Sequence, residues 1–251
     1  NVQGSVSGFT STGIDDNATS VAITIDSSEN VGIKNTSPAT ALDVTGTITG
    51  DGLTVAGNVS VDGGTVKLDG NYPTGTNNVA LGNTALDSGS LSGGCNTAIG
   101  NASLTANTSG TQNIGIGHLA LTANTEGIRN IAIGANSADA NTTGGCNVAV
   151  GQSSLGTNTS GCCNVAIGGS ALGNSTTASN NTAVGKSALE TNSTGANNTA
   201  VGLCSLYNNT TCSSNTAVGY ISICGNGTIS GDLNTALGNA ALRCITSGSE
   251  N

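Results

Sequence analysis

Few residues in this chain have side chains suited to chemistry, and their placement does not favour it. His118 is the only histidine. A Ser-His-Asp triad needs a carboxylate that orients the imidazole, and no acid accompanies His118 in the local pattern, so it reads as a surface residue. A glycosidase needs two carboxylates facing one cleft. The acids of the second part, Glu126, Asp139, Glu190, Asp232 and Glu250, are scattered over unrelated positions. Eight cysteines occur, at 95, 146, 162, 163, 204, 212, 224 and 244, without the Cys-x-x-Cys spacing of a zinc site. Asp15-Asp16 and Asp62-Gly63-Gly64 match neither an EF-hand nor a calcium-binding Gly-Gly-x-Gly-x-Asp repeat and read as turns. The sequence calls for no catalytic residue, metal or cofactor, and an enzyme is not expected.

The order in the chain lies elsewhere. Asn-x-Ala-x-Gly recurs from Asn78, Asn96, Asn113, Asn130, Asn147, Asn164, Asn181, Asn198, Asn215 and Asn234, with Gly115 replacing Ala in one copy. The steps are 18, then seven of 17, then 19. So constant a period means one unit stacked on itself, a solenoid. With Asn as position 0, positions +1 and +3 are β-branched or Leu around a tiny +2 residue, a period-two strand signal. Position +4 is Gly in every copy: Gly82, Gly100, Gly117, Gly134, Gly151, Gly168, Gly185, Gly202, Gly219 and Gly238. It marks a turn with positive φ or a close backbone approach. Position +7 is Ala or Ser and +8 is Leu in eight copies, followed by Asn-Thr or Asn-Ser turn pairs.

One repeat therefore predicts strand, turn, short second strand, turn. The fold class is all-β: a parallel β-solenoid of about ten 17-residue coils over residues 78–251. Seventeen residues cannot bury a core alone, so the +3 and +8 residues are expected to fill continuous buried columns. Coils about 4.8 Å apart make a rod of roughly 50 Å. The ten position-0 Asn residues are expected to hydrogen-bond from coil to coil, as stacked amides do in cross-β assemblies. Cys146 and Cys163 share position −1 of successive coils, within disulfide reach. The alternative is that they stay free as small apolar filler, as in a reducing cytosol.

Composition bounds the rest. Only 8% of residues are charged and 2% aromatic, so the core must be thin and aliphatic. The net charge is −9, with no basic patch for nucleic acid and no apolar run long enough to insert in a membrane. Residues 1–77 lack the period. Alternating runs at 20–26, 42–49 and 53–61 predict short strands too thin for a monomeric domain. They are read as a β-rich stalk or connector, intertwined as a trimer.

Ser28-Glu29-Asn30-Val31-Gly32-Ile33-Lys34-Asn35-Thr36-Ser37-Pro38, with Ala41-Leu42-Asp43-Val44-Thr45-Gly46, resembles a segment of phage tail fibres, which usually carry Gly where Lys34 stands. The Asn-Thr-Ala-Val-Gly…Ala-Leu repeats resemble those of phage fibres and of YadA-type trimeric autotransporter adhesin heads, whose repeat is generally somewhat shorter. The resemblance implies left-handed parallel β-rolls, three packed about a threefold axis. The +2 Ala and +4 Gly columns are then candidates for the contact between subunits. The alternative is that Ala merely fits a tight corner.

The implied function is a virion fibre: a rigid homotrimeric rod for host attachment on an extracellular virion appendage. Its partners are its own copies, other virion tail proteins, and host surface glycans or proteins. A bacterial surface adhesin or extracellular filament subunit is the alternative. An ice-binding solenoid is a third reading, which requires a flat Thr-x-Thr array.

Overall fold

A computed structural model of the protein describes residues 23–34, 36–37, 39–44, 76–224, 230–243 and 248–250. The 53–61 run, the Asp15 and Asp62 turns and Cys244 lie outside these residues. The chain divides into two compact units, Asn1–Thr65 and Val66–Asn251.

In the first unit, β1 (Ile23–Ile25) pairs antiparallel with β2 (Val31–Ile33), and β2 pairs parallel with β3 (Leu42–Val44). Asp26 closes the β1–β2 turn. Its carboxylate accepts the Ser28 and Asn30 amide N–H groups at 2.8 and 3.0 Å, and the Asn30 side chain at 3.1 Å. The Asn30 backbone bond leads in holding the Asp26 carboxyl below its ordinary pKa. Lys34 sits at φ 52°, so the left-handed turn exists here without a glycine.

In the second unit, each repeat contributes one three-residue strand. They are β4 (Val79–Leu81), β5 (Thr97–Ile99), β6 (Ile114–Ile116), β7 (Ile131–Ile133), β8 (Val148–Val150), β9 (Val165–Ile167), β10 (Thr182–Val184), β11 (Thr199–Val201), β12 (Thr216–Val218) and β13 (Thr235–Leu237). The ten form one parallel sheet in strict chain order. Equivalent positions pair throughout, as Thr182 with Thr199 and Val184 with Val201. The unit is a parallel β-solenoid with a period of about 17 residues.

Among the described residues the expected second strand does not form. Three non-glycine positions per coil are left-handed instead: +6 at φ 52–58°, +8 at φ 45–53° and −1 at φ 56–61°. In a strand, neighbouring side chains point to opposite faces. Here the +7 Ala or Ser and the +8 Leu point inward together. Ala171 and Leu172 are both 0% exposed, as are Ala188 and Leu189. Left-handed backbone at +6 and +8 permits this, at roughly 1–2 kcal/mol per residue. Burial of a Leu side chain, worth about 1.5–3 kcal/mol, offsets the cost.

The inner wall also differs from expectation. The buried columns are +2 and +8, whereas the +1 and +3 side chains project outward. Ala98, Ala132, Ala166, Ala183, Ala200 and Ala217 are 0% exposed, while Ile133 and Ile167 are 38% and 40% exposed. The lumen is narrow. A methyl at Gly115 (position +2) would lie 3.4 Å from the Leu104 Cγ of the preceding coil. Leu at +8 therefore reaches across to the +2 residue, and a Val or Ile there would overpack the space. The Ala column, enclosed by its own coil, is not available as a contact between subunits.

Nine of the ten +4 glycines combine a positive φ with a close approach of the next coil's backbone. Across all ten, φ runs from 123° to 137°, a region nearly closed to L side chains. A Cβ on Gly151 would also stand 2.7 Å from the Gly168 carbonyl group of the next coil, whereas nothing lies within 4 Å of one on Gly238. The pair separates the two costs. Gly238→Ala should cost about 1–3 kcal/mol for backbone strain alone. Gly151→Ala should cost at least about 2 kcal/mol more, because stacked backbone must move apart. Denaturant unfolding followed by circular dichroism measures both, and equal losses would show that the stacking contact adds nothing.

Candidate functional site

The interior of the solenoid is a polar ladder as much as an apolar core. All ten position-0 residues are buried: Asn78, Asn96, Asn113, Asn130, Asn147, Asn164, Asn181, Asn198, Asn215 and Asn234. From Asn78 to Asn215, each Oδ1 accepts the backbone N–H of the next Asn in the series at 2.8–3.0 Å. From Asn78 to Asn198, each Nδ2 donates at 2.7–3.0 Å to the carbonyl that closes its own coil, such as Gly127 for Asn113 and Gly144 for Asn130. One side chain thus serves the backbone of two coils.

A second ladder stands at position +11, where only turn chemistry is expected. Asn124 donates to Asn107, Asn141 to Asn124, and Asn158 to Asn141, at 2.7–2.8 Å. Each also donates to the carbonyl three residues on, at 3.0–3.2 Å. A Cβ at Gly110, Gly127, Gly144, Gly161 or Gly195 would lie 2.3–2.5 Å from the Oδ1 of the Asn three residues earlier. That explains the recurrent Gly at +14. Ser175 breaks the series, and Ala178 follows it three residues later. The Asn158 Oδ1 and Ser175 Oγ are both buried without a partner.

Outside, three features face solvent. The first is the +1/+3 face of the sheet. It runs from Val79 and Leu81 to Thr235 and Leu237 without one charged residue, half-exposed along most of its length. The second is a shallow groove of about 310 Å³. It opens where Gly156 and Gly173 stand at +9, between Asp139 and Glu190 in the same column, with Ser153 and Ser170 on one wall and Thr157 and Asn174 beside them. Three coil steps separate the two carboxylates, roughly 14 Å between Cα atoms. Asp139 is engaged by the Asn136 amide at 3.2 Å. That spread is wider than the paired carboxylates of glycoside hydrolysis, about 5–9.5 Å apart.

The third feature is the cysteines. Cys146 and Cys163 are exposed free thiols, side by side in the −1 column. Desolvation first, then the neighbouring Cys146 and Cys162, pushes the Cys163 thiol up. Cys204 and Cys224 are likewise free thiols, and desolvation raises Cys204, Cys212 and Cys224 alike. His118 is exposed at +5, where its carbonyl accepts the Asn136 N–H at 2.9 Å. Among the described residues, no three His, Cys, Asp or Glu side chains gather to hold a metal ion. No helix among them is long and apolar enough to cross a membrane.

These features define a rigid, repetitive β-solenoid scaffold of a fibrous, structural kind. No family model, curated protein or solved structure matches the chain.

The ladder break offers a test of what the amides contribute. Replacing Ser175→Asn together with Ala178→Gly restores the repeat and supplies a donor to Asn158 Oδ1. The double variant should gain about 1–2 kcal/mol in denaturant unfolding. Ser175→Asn alone should gain less, because its amide meets the Ala178 methyl. A neutral double variant would show that the buried oxygen costs nothing.

Proposed function

We propose that the chain is a structural fibre subunit of a virion, a phage tail fibre or similar extracellular appendage, working as a rigid homotrimeric rod in host attachment. The observation that carries this reading is the uncharged +1/+3 face. Ten strands at about 4.8 Å make a strip roughly 45 Å long, and three residues make it about 10 Å wide. That is near the upper end of what a monomer leaves exposed. Every coil repeats it at the same rise, so a second copy in the same direction meets it ladder on ladder. Three such faces closing on one axis form an apolar centre shared between chains, without an exposed edge pairing of strands.

The resemblance of residues 28–46 to phage fibre segments favours a virion over a bacterial surface adhesin or filament, and supports reading residues 1–77 as a trimeric stalk. The partners in this reading are two further copies, other virion tail proteins, and surface glycans or proteins of the host. With three Tyr, one Phe and no Trp, the rod offers few stacking platforms for sugars, so it holds a receptor-binding tip away from the particle. Ice binding has less support. The sheet-face threonines alternate with Val, Ile or Leu, and the +12 threonines, such as Thr125 and Thr142, donate to carbonyls of the next coil at 3.2 and 2.9 Å.

Light scattering after size exclusion should give three times 24.0 kDa. Ile133→Lys with Ile167→Lys places charge on the shared face and should yield a monomer with unchanged far-ultraviolet circular dichroism. A wild-type monomer at micromolar concentration would sink the trimer, and a large open polymer would favour the filament.

A further inference from the structure

We propose that Cys146 and Cys163 close into a disulfide between successive coils when the chain meets an oxidising environment. Both occupy position −1 of adjacent coils. Their backbones are superimposable in kind: φ is 58° and 59°. The Cys146 N–H donates to Ile128 O at 2.9 Å, and the Cys163 N–H to Gly145 O at 3.0 Å, the same relation one coil on. Equal backbone conformation at equal register aims the two Cα–Cβ bonds in parallel. One coil rise, about 4.8 Å, then separates the Cα atoms, inside the roughly 4.4–6.8 Å range of disulfides.

Two observations show that side chains in this column reach each other. Arg129 Nε, one coil before Cys146, donates to Gln112 Oε1 of the coil before it at 3.1 Å. Desolvation first, and then the charge of the neighbouring Cys146, raises the Cys163 thiol, as two close thiols in one column would. Cys162 is directed elsewhere: its sulfur accepts the Gly145 N–H and donates to Ser160 O, both at 3.4 Å. Cys95 lies in the same −1 column and is exposed, but Gln112 and Arg129 separate it from Cys146. It is an internal control with equal access and no thiol in the next coil.

A low-molecular-weight disulfide such as oxidised glutathione supplies the oxidant. The Cys146 thiolate attacks one of its sulfurs, releasing a glutathione thiolate and leaving a mixed disulfide. The Cys163 thiolate then attacks the Cys146 sulfur and releases the second glutathione thiolate. The two protons lost by the protein thiols end on the two glutathione molecules, and the protein is oxidised by two electrons. The product ties the middle of the stack across a loop of about 17 residues, where unzipping of neighbouring coils must otherwise begin or pass.

The native chain is incubated with oxidised glutathione, remaining thiols are alkylated, and peptides are mapped without reduction. The expected map shows Cys146 joined to Cys163 with the loss of two hydrogens, and glutathione on Cys95. The thermal midpoint rises and returns on reduction. Cys146→Ser abolishes both the link and the rise and leaves glutathione on Cys163. Glutathione on both Cys146 and Cys163, a Cys162–Cys163 link, or joints between chains would overturn the proposal.

Discussion

Stacking in this solenoid depends on one hydrogen bond, repeated. The carboxamide oxygen of each position-0 Asn accepts the backbone N–H of the next, as from Asn147 to Asn164 at 3.0 Å. Three-residue strands are short for a sheet, and a parallel ladder alone fixes their register weakly. The Asn bond adds a side-chain fastening at the entrance of every strand. Its Nδ2 ties the carbonyl that ends the same coil, so strand entrance and coil closure are set by one residue. Because the amide is buried, it cannot exchange its partner for water. An unpaired buried amide costs about 1–3 kcal/mol, so neighbouring coils hold each other at a common period.

The remaining repeat follows from enclosing that amide. Room inside is limited, so the +2 residue is Ala, and the opposite wall supplies one Leu. For the Leu and the small residue before it to face inward together, the chain leaves the pleat through left-handed residues at +6 and +8. Ile223 accepts φ 45° there and is fully buried, a costly conformation for a β-branched side chain. The corner at +4 has both a Gly-only φ and stacked backbone against it. Strain is thus spread along the rod in register, and each increment is held by the same burial in the coil above and below.

The period, the strand and the amide column were legible because each leaves a residue type at a fixed spacing. Which face of the strand turns inward was not. Alternation reveals two faces, and the larger side chains of Val148 and Val150 suggest a core. The lumen selects for size rather than hydrophobicity, and it takes Ala149. The left-handed positions were hidden for another reason. Leu155, Ser153 and Cys146 carry no signature of positive φ, which sequence reading attaches to Gly and Asn. Asn77, Asn180 and Asn197 at −1, with Asn136 at +6, were the available hint. The +11 ladder could have been found from its period of 17, but Asn-Thr pairs are common in turns, and the turn reading absorbed them.

This division between inside and outside bears on function. The inward positions 0, +2, +7, +8, +11 and +14 leave little freedom, since each is set by a hydrogen bond or by lumen width. Chemistry would have to arise from outward positions, and these come from separate coils at a rise of about 4.8 Å. Two side chains in one column meet only when adjacent coils carry them, as Arg129 and Gln112 do, or Cys146 and Cys163. A convergent catalytic cluster needs side chains aimed at one point, whereas a solenoid wall aims them in parallel. The same parallelism makes a periodic surface effective for long, repeated contact. The +1/+3 stripe is such a surface: it carries no charged residue in any of its ten strands and presents the same small set of side chains at every rise.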